Sequence, residues 1–518
     1  VLFMTDQDLD GSHIKGLGVN LFQSVWPSLS VIPGFIGFMN TPILKARKGS
    51  SELMFYNTGE YETWLETLNN DPKGWNIKYY KGLGTSTGKE FREYFAKKKI
   101  VGFEHFGKES DNTIDMVFNK KRADDRKDWL GKYERDSYLD TDKETVSYDE
   151  FIHKELIHFS KYDCDRSIPN LMDGLKISLR KILFAAFKKN LTSEIKVAQF
   201  SGYVSEHSGY HHGEASLNAA IVGMGQNFVG SNNINLLVPS GQFGTRLQGG
   251  KDSASERYIF TYLNPVTRKI FPGMDDAILK YLNDDGLMVE PIYYAPIIPM
   301  ILVNGAKGIG TGFSTDVLPY NPNDIISYLC SKLQGNNDHA NQEFVPYYEG
   351  FQGTVAKISD SKYVIKGSYQ LLGNDKIVVT ELPVGYWTDD FKSHLESLLD
   401  SNDSNGKKVI PKIKDYDDMS KDTNVEFTIQ FPKGRVSELE AIKTDYECNG
   451  IHKLLKLYTT VTNSNMHLFD YDDKLRKYDN VKTIIDDYYT KRLDLYDVRK
   501  KHMIDEINKE LVIMSNKA

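Results

Sequence analysis

The length of 518 residues limits the fold of this chain more than any other feature, because one hydrophobic core seldom organises so many residues. Globular domains commonly hold roughly 100–200 residues, so the sequence predicts about three or four units. Hydrophobic residues make up 40% and charged residues 26%, which is ordinary for a globular protein. The first residues fall within a predicted strand and the last within a predicted helix, so we expect a piece of a larger protein.

Simple counts argue against several classes of protein. Cys164, Cys330 and Cys448 are far apart and form no CxxC pair, which disfavours a zinc site or a disulfide framework and suits a reducing compartment. No window holds the ~20 uninterrupted apolar residues of a membrane helix, so no membrane partner is expected. No signal peptide is visible. With a net charge of -7, any surface for nucleic acid has to be local.

The order of predicted elements indicates a multidomain protein of the α/β and α+β classes. Residues 1–108 are predicted to form an α/β unit, and the charge-dense residues 109–150 a linker with helical pieces. Residues 151–290 are predicted to be helical at first and then to form short strands. Residues 291–445 alternate strand and loop, which predicts a separate α/β lobe. From about residue 446 the chain is predicted to be helical, ending in a long amphipathic helix that could be half of a coiled coil.

An acidic cluster follows the first apolar run, residues 1–4, which is predicted to be a buried parallel strand. Asp6, Asp8 and Asp10 alternate along the chain, and Gly11 permits a turn that would let them converge. Three hard carboxylates favour Mg²⁺, an ion that commonly acts on phosphates. A calcium-binding EF-hand loop is excluded because its twelfth position lacks a Glu, while a solvated acidic turn stays open as an alternative.

A glycine-rich segment ends at Arg257 and Tyr258. Glycines and small residues would let the backbone approach a phosphate closely. A tyrosine phenol has a pKa near 10, so as a nucleophile it needs a base or a cationic neighbour, and Arg257 can supply that charge. The chain has 31 tyrosines, so an ordinary core or surface position is the alternative.

Histidines and cations cluster in the segment before that loop. His211 and His212 are adjacent, and residues that point apart seldom chelate one metal, so acid–base chemistry or phosphate binding is favoured over a capped helix with one buried imidazole. Between residues 171 and 200, six Lys and Arg side chains stand against two acids, a net charge of +4. That local charge predicts a groove for a DNA backbone, with a solvated helix face as the alternative.

A second glycine-rich segment follows the apolar residues 299–304, which are predicted to form a strand that delivers Ile309 between two glycines. The spacing does not meet the GxGxxG pattern of a dinucleotide loop, and no helix pattern follows. The alternative is that Ile309 is a wedge that separates one base step and bends a duplex.

Taken together, the motifs resemble those of eukaryotic-type type IIA DNA topoisomerases, in the same order and over nearly the whole chain. The resemblance is carried by TDQDLDGSHIKGL, YYKGLGTST, RSIPNLMDGLK, YHHGE, GQFGTRLQGGKDSASERYIFT and PMILVNGAKGIGTGFST. It implies the C-terminal part of a TOPRIM domain over residues 1–108, a linker over 109–150 and a winged-helix domain over 151–290. It also implies a tower domain over residues 291–445 and the start of a coiled coil toward an exit gate over 446–518.

The resemblance also implies a role for individual residues. Tyr258 matches the tyrosine that forms a 5′-phosphotyrosyl bond, and Arg257 matches the stabiliser of its transition state. Other matched residues fall into three groups: Asp6, Asp8 and Asp10 for Mg²⁺; Arg166 and His212 for the scissile phosphate; and Lys81, Lys120, Lys121, Lys176, Tyr210 and Ile309 for DNA, the last as the intercalating wedge.

The family implies an enzyme that acts on double-stranded DNA as a homodimer in the nucleus, although no basic import signal is visible here. ATP is expected only through a domain that this chain does not show, and a TOPRIM Glu that precedes the acidic cluster in the family is absent. Three other interpretations stay open: another TOPRIM enzyme such as a primase or nuclease, a bacterial gyrase, and a non-catalytic DNA-bending scaffold.

Overall fold

The computed structural model describes residues 1–80, 82–284, 287–336, 338–400 and 411–517. The chain divides into two compact units. The first unit holds Val1–Ser167 together with Ile309–Ser314, and the second holds Ile168–Gly308 together with Thr315–Ala518. Both units mix helices and strands, as the sequence predicts. No helix in the described ranges has the length and apolar character needed to cross a membrane.

The first unit is built on two sheets. Its strands are β1 (Leu2–Phe3), β2 (Gly37–Met39), β3 (Leu44–Lys48), β4 (Ser51–Phe55), β5 (Asn76–Tyr79), β6 (Ile100–Glu104) and β7 (Thr145–Ser147). One sheet has the order β1-β2-β6-β7, in which β1 is parallel to β2 and β6 is parallel to β7, and the other has the order β4-β3-β5. The acidic cluster therefore lies at the carboxyl end of β1.

Helices flank these sheets. They are α1 (Leu9–Val25), α2 (Pro27–Ser30), α3 (Thr58–Thr67), α4 (Gly88–Lys97), α5 (Lys108–Phe118), α6 (Ala123–Leu130), α7 (Tyr148–Phe151) and α8 (Ile157–Ser167). Residues 109–150 contain the expected helical pieces, α5 and α6, and they also supply β7. This charge-dense segment buries Ile114 and Trp129, so it packs as part of the first unit.

The second unit begins with a helical cluster and a small sheet. Helices α9 (Ile177–Lys188), α10 (Val197–Ser208) and α11 (Glu214–Gly225) pack together, and strands β8 (Ile195–Lys196), β9 (Leu237–Ser240) and β10 (Phe260–Leu263) pair in the antiparallel order β8-β10-β9. The short helix α12 (Thr267–Ile270) and the hairpin of β11 (Tyr281–Asp284) and β12 (Leu287–Pro291) follow. The strand β10 begins two residues after Tyr258.

The remaining strands of this unit form two larger sheets and two hairpins. The strands are β13 (Ala306–Ile309), β14 (Ser314–Val317), β15 (Thr354–Ser359), β16 (Lys362–Lys366), β17 (Ser368–Leu371), β18 (Lys376–Glu381), β19 (Asp415–Asp418), β20 (Phe427–Gln430), β21 (Tyr458–Thr462), β22 (Met466–Phe469) and β23 (Leu475–Tyr478). The sheets have the orders β15-β16-β21 and β17-β18-β20-β19. The helices among them are α13 (Met300–Asn304), α14 (Pro322–Leu333), α15 (Thr388–Leu399), α16 (Arg435–Ala441) and α17 (Gly450–Leu454).

A single long helix, α18 (Val481–Lys517), ends the described chain. Its first half is buried against the rest of the second unit. Tyr488 there is 1% exposed, and Arg492 pairs with Asp275 at 2.7 Å. Its second half exposes apolar side chains, including Ile507 and Leu511. The predicted long helix is confirmed, and its burial changes along its length.

Three sequence predictions differ from the structure. The long helix begins at residue 481, because residues 458–462, rich in β-branched side chains, form β21 instead. Residues 300–304 form a helix and not a strand: Pro299 precedes its first turn and Gly305, with φ +66°, ends it. Strand β1 is parallel as predicted, but it is not buried: it lies at the edge of its sheet, and Leu2 is 41% exposed.

The core beneath the sheet β17-β18-β20-β19 supports a stability prediction. Ile429 on β20 is completely buried, while its neighbour Thr428 on the other face is only half-buried. Ile429→Ala should lower the free energy of unfolding by about 2–5 kcal/mol, because it leaves a cavity. Thr428→Ala is the matched control and should change it by less than about 1 kcal/mol. Equal melting temperatures for the two variants would contradict the assigned register.

Candidate active site

The acidic cluster occupies the turn between β1 and α1. Asp8 is the N-cap of α1, and its Oδ1 accepts a hydrogen bond from the Gly11 backbone nitrogen at 2.7 Å. Gly11 is required there, since a Cβ would lie 1.8 Å from the carbonyl oxygen of Asp6. Burial raises the pKa of Asp8, the Gly11 N–H lowers it, and the nearby charges of Asp6 and Asp10 raise it further. The three carboxylates therefore crowd one turn and repel each other.

The carboxylate of Asp6 contacts YYKGLGTST, the second of the motifs that carry the family resemblance. Its Oδ1 accepts a hydrogen bond from the backbone nitrogen of Leu83 at 2.6 Å. This contact joins segments 77 residues apart, which no local pattern could predict. Lys81, the DNA-binding candidate in the same motif, lies outside the described residues.

Arg166 lies at the end of α8 and pairs with the acidic cluster. Its Nη1 is 3.2 Å from Asp10 Oδ1, and its Nε is 3.4 Å from Asp163 Oδ1. Its guanidinium also lies 5.5 Å from the ring centre of Phe159 and 5.3 Å from that of Tyr162. A third of the side chain stays exposed, so these contacts hold a guanidinium beside the carboxylates while leaving it open to an anion.

The three carboxylates have different partners, and this affects their use as metal ligands. Across the ranges that the structure describes, no group of three or more His, Cys, Asp or Glu side chains is arranged to hold a metal ion. Asp6 is turned to Leu83, Asp8 caps a helix and Asp10 pairs with Arg166. Their oxygens are hard donors of the kind that Mg²⁺ prefers, so the donor chemistry fits the ion. The predicted convergence of the carboxylates is not present in this arrangement.

Tyr258 is one of the most exposed aromatic side chains of the second unit, at 69%. Arg257 is also exposed, and its guanidinium lies 5.2 Å from the centre of the Tyr258 ring. The phenol is thus open to a large ligand and has a cation next to it, as the sequence predicts. That is the pairing a tyrosine nucleophile needs in order to attack an anionic phosphodiester.

The backbone on both sides of Tyr258 is fixed to the start of α10. Val197 donates from its backbone nitrogen to the carbonyl of Ile259 at 3.0 Å, and Ala198 donates to that of Glu256 at 3.2 Å. The Ile259 side chain is only 2% exposed. An exposed phenol therefore projects from a rigid support, which limits the entropy lost when a substrate binds.

The glycine-rich segment before Tyr258 packs against the lobe that carries α15. Gly249 has φ +64°, and a Cβ there would lie 2.3 Å from the Trp387 ring. The protein's own packing therefore requires this glycine, whereas the sequence suggested a close approach to phosphate. Backbone nitrogens of Thr388 and Asp389 donate to the carbonyls of Arg246 and Leu247 at 3.3 and 3.1 Å.

A buried ion pair completes that attachment. The Arg246 guanidinium bonds the carboxylate of Glu381, and the two side chains are only 7% and 1% exposed. Glu381 also accepts hydrogen bonds from the backbone nitrogens of Gln352 and Leu382 at 3.1 and 2.9 Å. No local sequence pattern distinguishes Arg246, because its partner lies 135 residues away.

The histidine pair precedes α11. The rings of Tyr210 and His212 meet edge to face with centres 5.3 Å apart, while His211 Nε2 lies 3.2 Å from Asp284 Oδ2. Tyr210 is buried and both histidines are exposed. The two imidazoles make different contacts, as expected for adjacent residues that point apart. A cavity of about 440 Å³ is lined by α11 residues and by the segment that ends at Glu256.

The basic helix α9 offers less free charge than its sequence suggests. Arg180 forms a bidentate pair with the buried Asp173, at 2.7 and 3.0 Å, and Lys181 lies 2.8 Å from Glu290. Asp173 is already counted in the local charge of +4, but Glu290 lies outside the counted segment, so the pairing of Lys181 with Glu290 lowers the charge that DNA could meet. Lys176 is the residue just before the first turn of α9, and burial lowers its pKa.

The two remaining groups of DNA-binding candidates are exposed in the first unit. Ile309 is 84% exposed at the end of β13. Lys120 and Lys121 are exposed in the turn after α5. Arg126 fixes that turn by donating to the carbonyl of Asn119 at 2.7 Å.

Two models of known protein families match this chain, one over each part of it. Residues 166–518 match the family model that describes the A subunit of DNA gyrase/topoisomerase IV. Residues 39–164 match the model described as the C-terminal associated domain of TOPRIM.

Curated proteins that are similar to the chain include DNA topoisomerases 2 from several organisms. Over its whole length the chain is 46% identical to DNA topoisomerase 2 of Arabidopsis thaliana and 45% identical to that of Plasmodium falciparum, and it covers 35% and 36% of them. It thus spans about a third of the length of these curated relatives. It is also similar, with a TM-score of 0.82 and 46% identity, to a crystal structure of the Plasmodium falciparum topoisomerase II DNA-binding, cleavage and re-ligation domain. That match covers 100% of this chain and 68% of the other.

The buried pair of Arg246 and Glu381 yields a prediction. Arg246→Met should destabilise the protein by about 3–5 kcal/mol, because it leaves a buried carboxylate without its counter-charge. The double variant Arg246→Met/Glu381→Gln should recover part of that loss in thermal unfolding. Arg435→Met removes an exposed pair with Glu438 and is the control, with an expected loss of under about 1 kcal/mol. No recovery in the double variant would contradict the charge argument.

Proposed function

Because this chain belongs to the type IIA DNA topoisomerase family, we propose that it is the DNA-cleavage and re-ligation core of a eukaryotic-type topoisomerase II. Such a core makes a transient double-strand break and reseals it. The proposal rests above all on the exposed Tyr258 phenol, which has Arg257 beside it and a backbone fixed on both sides. A non-catalytic DNA-bending scaffold would have no need of this arrangement.

The proposed reaction is a reversible transesterification by Tyr258. Its phenolic oxygen forms a bond to the phosphorus of a phosphodiester, and the bond from phosphorus to the 3′ oxygen breaks, leaving a 3′-hydroxyl and a 5′-phosphotyrosyl end. The phenol loses one proton and the departing oxygen gains one. The intermediate is still a phosphodiester, so resealing reverses the same steps without an energy source.

Cationic and polar side chains stabilise the charge that develops on the phosphoryl oxygens. Arg257 is next to the nucleophile, and Arg166 and His212 are the further candidates. Asp6, Asp8 and Asp10 would hold Mg²⁺, which when bound supplies Lewis-acid stabilisation of the leaving 3′ oxygen. Arg166 already pairs with Asp10, which holds one carboxylate of this crowded turn in place.

DNA would be held mainly through its backbone, so sequence preference should be weak. The proposed backbone contacts are Lys81, Lys120, Lys121, Lys176 and Tyr210. Ile309 is proposed as the wedge that unstacks one base step, and its exposure supports that role because an apolar side chain in water gains from insertion between bases.

We also propose the division implied by the family: TOPRIM over residues 1–108, winged helix over 151–290 and tower over 291–445. Of the coiled coil expected over 446–518, we propose the part formed by α18, because residues 458–478 contribute strands to the second unit. Helices α9, α10 and α11 with the small sheet β8-β10-β9 support the second of these. The exposed Ile504, Ile507, Leu511 and Met514 recur at spacings of three and four along α18, which supports a coiled-coil partner.

In the proposed assembly two chains form a twofold homodimer, and the tyrosine of one works with the carboxylates of the other. This arrangement cuts the two strands in a stagger. ATP would act through a domain elsewhere in the full-length protein, and the nucleus is the proposed location.

The nucleophile can be tested directly. Tyr258→Phe in the full-length protein should abolish covalent protein–DNA adducts, because no other oxygen stands at that position, while DNA affinity stays close to wild type. Adducts are measured by denaturing electrophoresis with labelled DNA. Tyr262→Phe, four residues further on in β10, is the matched control and should keep forming adducts. Adducts that persist in Tyr258→Phe would rule out the assignment.

The wedge can be tested separately from cleavage. Ile309→Ala should reduce the bending of a duplex, seen as energy transfer between dyes at its two ends, more than it reduces affinity, because the lost contact is made only with bent DNA. Ile442→Ala, an exposed isoleucine elsewhere, is the control. Unchanged bending in Ile309→Ala would show that another residue bends the DNA.

A further inference from the structure

We propose that Asp163 is a positioning residue that couples the loop bearing Ile309 to the guanidinium of Arg166. Through Asp163, the bending of DNA by Ile309 and the contact of Arg166 with a phosphate would then depend on each other. This inference rests on the proposed function, because both side chains matter only if a duplex is bent and cleaved here. All the residues that carry it belong to the first unit.

The Asp163 carboxylate contacts both groups at once. Its Oδ2 accepts a hydrogen bond from the Thr311 hydroxyl at 3.1 Å, two residues after Ile309 in the chain. Its Oδ1 faces Arg166 Nε at 3.4 Å. The same guanidinium reaches Asp10 Oδ1 at 3.2 Å. A connected path of polar contacts thus runs from the wedge loop to the acidic cluster.

Neighbouring residues of α8 make this path specific to Asp163. Cys164 donates from its Sγ to the Thr311 carbonyl at 3.2 Å, so α8 holds both the side chain and the main chain of that threonine. Burial raises the pKa of the Cys164 thiol to about 12, which keeps it a donor. Asp165 is paired with Lys161, so Asp163 is the carboxylate that faces the loop.

The rest of the loop is seated on α6, which restricts how it can move. Gly312 has φ +75°, and a Cβ there would lie 3.0 Å from the Cβ of Arg126. The Phe313 ring lies 6.0 Å from Lys127 Nζ. Ile309 does not take part in this packing and is largely exposed. A force on Ile309 from an unstacked base step therefore acts on Thr311, the point where the loop is joined to Asp163.

The test removes the hydroxyl while keeping the shape of the side chain. In the full-length protein, Thr311→Val should lower covalent adduct formation about tenfold, which is the loss expected for one hydrogen bond to a charged group. Energy transfer on the same end-labelled duplex should report less bending, while affinity measured by anisotropy changes less than adduct formation does. Thr311→Ser restores the hydroxyl and should stay near wild type in all three measurements.

A double-mutant cycle identifies the route. Asp163→Leu keeps the approximate size of the side chain but removes both acceptor oxygens, and Thr311→Val added to it should cause little further loss, because both changes break the same path. Losses that multiply in the double variant would overturn the coupling, and so would Thr311→Ser variants as impaired as Thr311→Val. Melting temperatures show whether a loss reflects unfolding.

Failure of this inference can be told apart from failure of the proposed function. If wild type bends DNA but forms no adduct through Tyr258, the proposed function is contradicted, and this inference with it. If wild type forms adducts and Thr311→Val bends and cleaves equally well, the proposed function stands and only the coupling through Asp163 is contradicted.

Discussion

The guanidinium of Arg166 lies between Asp10 and Asp163, two carboxylates that would repel each other without it. One belongs to the first turn of α1 and the other to the last turns of α8, so the cation sets how the ends of these helices meet. Stacking of His13 on Phe159, with ring centres 4.1 Å apart, reinforces the same junction. The acidic cluster and the wedge loop are both attached to this junction, which makes their positions depend on one another.

Exposure and rigidity are combined in the same way at two sites. Tyr258 and Ile309 are 69% and 84% exposed. The backbone next to each of them is nevertheless held in place by hydrogen bonds and buried neighbours. A flexible exposed side chain would lose conformational entropy on meeting DNA. Fixing the backbone beforehand reduces that loss and leaves the side chain open to a ligand as large as a duplex.

Much of the site could be predicted from the sequence, because its signals are local. The alternating aspartates, the adjacent Arg257 and Tyr258, and the isoleucine between glycines are each recognisable within a few residues. The partners of these residues could not be predicted, since they come from distant parts of the chain. Asp6 contacts Leu83, and Asp10 contacts Arg166. Residues 300–304 form a helix that could not be predicted either, since a short apolar run gives no periodicity that separates helix from strand.

The local charge of a segment overestimates the cationic surface of this protein, and the reason is physical. Arg180, Lys181 and Arg246 all lie in basic or glycine-rich segments that suggest DNA binding, yet each is paired with a buried carboxylate. Burying two ions costs desolvation energy that their attraction only partly offsets, so such pairs add little net stability. Their effect is on geometry, because a pair with a fixed hydrogen-bond pattern tolerates only one placement of the loops it joins. Arg180 and Arg246 thereby fix the segments that lead to Lys176 and Tyr258.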